Sequence, residues 1–194
     1  MTTGAAASPA TAARPAAIRR LNWGCGKHPA PGWLNSDRKQ APGIDLSCDI
    51  REGLPLQDAS IDYAVSIHAL PEVPYPDLVP VLTELRRVLK PGGVLRLGLP
   101  NLERAFDAYR RGDRDWFLIP DEEMASAGGK LIAQIVWYGY SRTMFVPGFA
   151  EELLRKAGFA QVHHLDGGQT ASRYPEIVEL DDRPLESFFV EAVR

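Results

Sequence analysis

The sequence predicts an α/β fold, a Rossmann-like and mostly parallel seven-stranded sheet in one domain. Two observations lead there. Short apolar runs bounded by glycine, proline or aspartate alternate, from the middle of the chain onward, with stretches of helical spacing. A chain of 194 residues, 45% hydrophobic and 24% charged, is long enough for one sizeable core and no more.

Residues 1–17, MTTGAAASPATAARPAA, lack the basic start and apolar middle of a signal peptide and read as a disordered tail; 18–194 form the single domain. A first strand from Ile18 runs into Gly24. Two short extended pieces follow, Gly32 to Ser36 and Ile44 to Cys48, each ending at an acid, Asp37 and Asp49. IDYAVSI (61–67) and VLRLGL (94–99) are the central parallel strands. Between them, Asp77 to Leu89 places Leu78, Val81, Leu82, Leu85, Val88 and Leu89 at helical spacing, with Asp77 as the cap and Lys90-Pro-Gly-Gly as the stop. Asn101 to Arg111 and Pro147 to Ala157 are further helices. The stretches from Gly158 and from Leu185 are read as an antiparallel pair closing the sheet. Residues 112–146 are rich in aromatics and follow no single period, so they are read as a lid inserted over the site.

Composition narrows the function. A net charge of -3 and a pI of about 5.8 offer no general attraction for a phosphate backbone, so a nucleic-acid substrate is not expected. No apolar run reaches the roughly 18 residues of a membrane span. Cys25 and Cys48 have no CxxC spacing, which argues against a zinc ribbon or a disulfide framework and fits a reducing cytoplasm.

In an open parallel sheet, ligands sit at the carboxyl ends of the strands. Those ends are Asn22 to His28, Asp37, Asp49, Ser66 to Glu72, and Asn101. An acid at the exit of the second strand, Asp37, suits both hydroxyls of a ribose. Asp49 suits an adenine amino group, with Ile50 covering the ring. The pattern describes a bound nucleoside.

Four stretches carry a family resemblance: "LNWGCGKHPAPGWLNSD", "GIDLSCDIREGLPLQDASIDYAVSIHAL", "ELRRVLKPGGVLRLGLPN" and "FAEELLRKAGFAQV". Together they resemble the compact class I S-adenosylmethionine-dependent methyltransferases, of the methyltransferase type 11-like group, from Arg20 to the C-terminus. The resemblance implies S-adenosylmethionine as cofactor and S-adenosylhomocysteine as its product. It implies that Gly24, Cys25 and Gly26 line the methionine part, that Asp37 takes the ribose, that Asp49 and Ile50 hold adenine, and that Ser66, Ile67 and His68 border the sulfonium. The family's acid in the first motif is Asn22 here, and its third glycine is His28. It also implies a truncated first helix, with 27–32 a loop, which suits a cofactor that has no phosphate to place at a helix N-terminus.

Methyl transfer to a hydroxyl needs an aligned acceptor and a base. Glu72 is the expected base and His68 the alternative, each weighed against a merely structural or solvated role. His28, Asn101, Tyr138, Tyr140 and Arg142 are candidate acceptor contacts, the last three sharing one face if their segment is extended; Asn101 is also a helix cap, and the aromatics also suit lid packing or a homodimer interface. No metal is expected: adjacent His163 and His164 point to opposite faces of a strand. The reading is O-methylation of a sugar or oligosaccharide, because enzymes resembling this one accompany bacterial polysaccharide biosynthesis. Two alternatives stay open: a small-molecule N- or O-methyltransferase of a natural-product pathway, and a non-catalytic S-adenosylmethionine-binding module.

Overall fold

The computed structural model describes residues 18–194; the segment expected to be a tail, 1–17, lies outside the described residues. Seven strands form one sheet in the order β3-β2-β1-β4-β5-β7-β6. They are β1 (Arg20–Trp23), β2 (Leu34–Asp37), β3 (Leu46–Ser47), β4 (Ile61–Ile67), β5 (Leu89–Pro100), β6 (Gln161–Leu165) and β7 (Ser187–Val193). All neighbouring pairs from β3 to β5 are parallel, and β7 is antiparallel to both of its neighbours. The helices are α1 (Leu78–Val88), α2 (Leu102–Arg111), α3 (Ala127–Val136) and α4 (Pro147–Lys156). This is the expected α/β, Rossmann-like sheet.

The two faces are covered differently. α1 buries Leu78, Val81, Leu82, Leu85 and Val88, the stripe its sequence spacing dictates, and α4 buries Ala150, Leu153 and Leu154 on the same side. On the other face no helix joins β1 to β2. Trp33, Tyr63 and Val65 are roofed instead by Tyr174 and Ile177 from the crossover between β6 and β7. Tyr63 takes Trp33 edge-on at 5.4 Å and Tyr174 at 4.8 Å between ring centroids. Arg96 on β5, fully buried, pins this crossover through Asp181 (2.5 Å) and also holds Glu191 (2.9 Å).

Three local expectations are corrected. Asp77 makes no side-chain cap on α1: a 3-10 turn over Tyr75–Asp77 leads into the helix, and the Asp77 carboxylate lies 3.6 Å from Arg51. β5 begins at Leu89 rather than Val94, because Leu89 pairs with Ile61 across a register shift. Tyr138, Tyr140 and Arg142 do not share an extended face; Trp137–Gly139 is a 3-10 turn with Trp137 and Tyr138 both left-handed.

Candidate cofactor and acceptor site

The carboxyl rim of β1 and β2 is built around two glycines and an acid. Gly24 has φ +67° and stands so close to the β4 exit that an added Cβ would lie 2.2 Å from that of Ala69. Gly26 also has positive φ, but an added Cβ there would meet nothing within 4 Å. Asp37 at the end of β2 accepts from the Gly26 amide through Oδ2 and from the Lys39 amide through Oδ1, each at 2.9 Å. A carboxylate offers about four acceptor directions, so two are left for a ligand.

The loop replacing the first helix is held by amides. Asn22 and Asn35 are register partners, and Asn22 Nδ2 donates to Asn35 Oδ1 (3.1 Å) and to the His28 carbonyl (3.4 Å). Asn35 Oδ1 also accepts from the Ala30 amide (2.8 Å), and its Nδ2 donates to the Ala30 and Trp33 carbonyls. Asn22 is thus turned into the loop, and the His28 side chain is exposed. Buried Cys25, its thiol pushed up to about 11 chiefly by burial, stays protonated between the glycines.

Asp49 grips Arg51 through both oxygens, at 2.6 to 3.1 Å, and this contact holds its carboxyl down at about 2. Ile50 is buried in the core beside α1. Ser66, the penultimate residue of β4, has a buried hydroxyl with no partner.

His68, left-handed at φ +56°, closes β4. Its Nδ1 faces Arg183 Nη1 at 3.5 Å; arginine only donates, so the ring proton sits on Nε2, which donates to Ser187 Oγ at 2.7 Å. Burial, helped by Arg183, pushes its pKa down to about 3, so the imidazole is neutral. Glu72 is exposed on the turn Leu70–Glu72.

Beside this rim lies a cavity of about 30 Å³, lined by Pro71, Asn101, Trp116, Gln134, Ser141 and Glu186 among others. Asn101 both lines it and caps α2, accepting from the Arg104 amide at 3.2 Å. The space holds a water or two, and residues of the 112–146 segment form about half of its wall. Tyr138 is turned away to Glu123 (2.7 Å), and Tyr140 and Arg142 are exposed. Gln134, Arg183 and Glu186, which the sequence did not single out, meet here because β7 returns beside β5, with Ser187 opposite Pro100.

Comparison with known proteins agrees with this architecture. Residues 25–97 match the family described as Methyltransferase domain. A demethylmenaquinone methyltransferase of Listeria monocytogenes is 32% identical over 131 residues, 62% of this chain and 51% of the relative; the chain spans about half the length of that relative. The structure of an S-adenosylmethionine-dependent methyltransferase from Thermotoga maritima superposes with a TM-score of 0.58 at 20% identity, covering 90% of this chain and 81% of that one. One from Mesorhizobium loti gives 0.53 at 19%, covering 91% of each. Residues 25–97 are thus similar to a methyltransferase domain, and the fold is that of the S-adenosylmethionine-dependent methyltransferases. The residues present fit that cofactor: an unfilled acid at the β2 exit, open space over Gly26, and the unpartnered Ser66 hydroxyl.

Proposed function

We propose that this protein transfers a methyl group from S-adenosylmethionine to a hydroxyl of a small acceptor held between the strand rim and residues 112–146. The observation that carries the reading is the Gly26 to Asp37 bridge: it fixes a carboxylate at the β2 exit with two acceptor directions unused, next to the open space over Gly26. Asp37 would take the ribose, Gly24 to Gly26 the methionine part, and Ser66 to His68 the border of the sulfonium. Bound there, the cofactor supplies an activated methyl group, so the chain's own task is to align the acceptor, exclude water and remove a proton.

The walls support an acceptor with an apolar face, since Pro71, Trp116, Ile135 and Phe145 surround a few polar groups. The C–H face of a sugar or oligosaccharide fits this description, and the family resemblance to enzymes of polysaccharide biosynthesis supports it. A quinone-type ring is the second reading, favoured by the likeness to demethylmenaquinone methyltransferases.

Titration calorimetry with S-adenosylhomocysteine, followed by radiolabelled transfer into separate pools of sugars, phenols and amines, tests the proposal. Binding and label in a hydroxyl pool are expected. Absence of binding would leave only the fold, and label confined to amines would replace the hydroxyl reading.

A further inference from the structure

Glu186 stands out among the carboxylates at the rim. Its side chain is 8% exposed, yet its nearest polar neighbours are distant: Arg183 Nη1 and Gln134 Nε2, each at 3.5 Å, and His68 Nδ1 at 4.0 Å. Elsewhere this chain closes such contacts fully, with Arg96 at 2.5 Å from Asp181. A buried carboxylate normally takes two or three short hydrogen bonds. Glu186 takes only the long one from Gln134, beside the equally long contact to Arg183, and lines the cavity beside Asn101, Gln134 and Ser141.

Resting on the methyltransferase reading, we propose that Glu186 is the catalytic base, receiving the acceptor's proton, and that Arg183 and Gln134, whose N–H groups lie nearest it, position it. The acceptor's O–H bond breaks toward a Glu186 oxygen, and the electron pair left on oxygen becomes its bond to the transferred methyl carbon. The proton stays on the carboxyl until product leaves. Neither expected base competes well. His68 has both ring nitrogens engaged and a pKa of about 3, and Glu72 is exposed on a surface turn.

The surroundings suit the role. Burial raises the carboxyl above its ordinary value, Arg183 lowers it, and Asp182 raises it. Those charges, with neutral His68 and the Gln134 amide, face Glu186 from the β6 to β7 crossover, β4 and α3. A base whose pKa is lifted toward the working pH is the more effective proton acceptor.

Glu186→Gln keeps the shape and removes the base. We expect it to bind S-adenosylhomocysteine within twofold of the parent by calorimetry and to melt at the same temperature or higher, because a poorly solvated charge is gone. A group buried merely for structure would be missed, and melting would fall. With carbon-13-labelled glutamate, one carboxyl resonance should titrate above the ordinary range, vanish in Glu186→Gln, and shift its midpoint when phenol is added as the smallest ring hydroxyl. Transfer into whichever hydroxyl pool the parent labels should fall about 100-fold or more in Glu186→Gln and less than threefold in Glu72→Gln. An ordinary titration midpoint unmoved by phenol overturns the assignment, as does transfer retained within tenfold. Loss of S-adenosylhomocysteine binding by the parent itself would overturn the methyltransferase reading instead.

Discussion

Asn22 and Asn35 face each other across the β1 and β2 pair, and their amides share a 3.1 Å hydrogen bond that anchors the loop standing in for a helix. Asn35 presents its oxygen to Asn22 because its nitrogen is already committed to the Ala30 and Trp33 carbonyls. An acid at 22, as in related first motifs, would set oxygen against oxygen. Asn22→Asp should therefore destabilise the protein by about 2 kcal/mol, and Asn35→Ala, which strands several buried loop groups, by about 3 kcal/mol. Urea melts measure both; an Asn22→Asp protein as stable as the parent would show that the amide pair does not hold the loop.

The two rim glycines should respond differently to the same change. In Gly24→Ala the new methyl collides with Ala69, so the cost is about 3 kcal/mol or more and the β1 to β4 contact opens. In Gly26→Ala nothing is struck, and the left-handed backbone costs about 1 kcal/mol. The Gly26→Ala protein should fold yet bind S-adenosylhomocysteine tenfold or more weakly, because its methyl group enters the open space. Melting and calorimetry together separate a fold defect from a site defect, and equal affinity would remove Gly26 from the site.

Asp37 and Asp49 look alike in the sequence, each ending a short strand, but the structure leaves only one of them free. Asp37 keeps two unused acceptor directions, whereas Arg51 occupies both oxygens of Asp49. Asp37→Asn should weaken S-adenosylhomocysteine binding by 10- to 100-fold and Asp49→Asn by less than fivefold. The reverse order would mean that Arg51 swings away to release Asp49.

What the sequence disclosed, and what it withheld, follows from the range of the interactions. The runs at 61–67 and 94–99 are mostly apolar, short and bounded by turn residues, so their strands could be read locally. The Asn101 cap and the stripe on α1 were equally local. α3 was not legible: it opens on Ser126 and then Ala-Gly-Gly, and two glycines in a first turn weaken any helical signal. The Glu186 cluster had little local mark: Arg183 is only three residues away, but Gln134 and His68 reach it only through the packing of residues 112–146 and the antiparallel return of β7. Arg51 beside Asp49 was visible as a neighbour, but its grip depends on the turn that starts at Ile50.

His68 should remain neutral throughout the physiological range. A ring buried beside a guanidinium, with a pKa of about 3, gains no proton between about pH 5 and pH 8, where an ordinary histidine titrates. Nitrogen-15 NMR of labelled imidazoles should show one ring fixed with its proton on Nε2, and Arg183→Ala should raise its midpoint. A His68 signal titrating near the ordinary value would dissolve the arrangement at the β4 exit.

The pH dependence of stability provides the last test, and its sign is set by Glu186. Burial lifts this carboxyl above its ordinary value, so the folded state holds the proton more tightly than the unfolded one. Such a group costs stability once the pH exceeds its folded pKa, and the cost fades as the pH falls toward its unfolded value. Other titrating groups, such as Asp49 with its lowered pKa, are common to the parent and to Glu186→Gln and cancel in the difference. Urea melts of the pair from about pH 4 to pH 8 should show the glutamine variant more stable at the alkaline end, with the gap closing on acidification. A gap in the parent's favour that shrinks on acidification would mean that Arg183 outweighs burial and that the carboxyl is held ionised as half of an ion pair, which would make it a poor acceptor of a substrate proton.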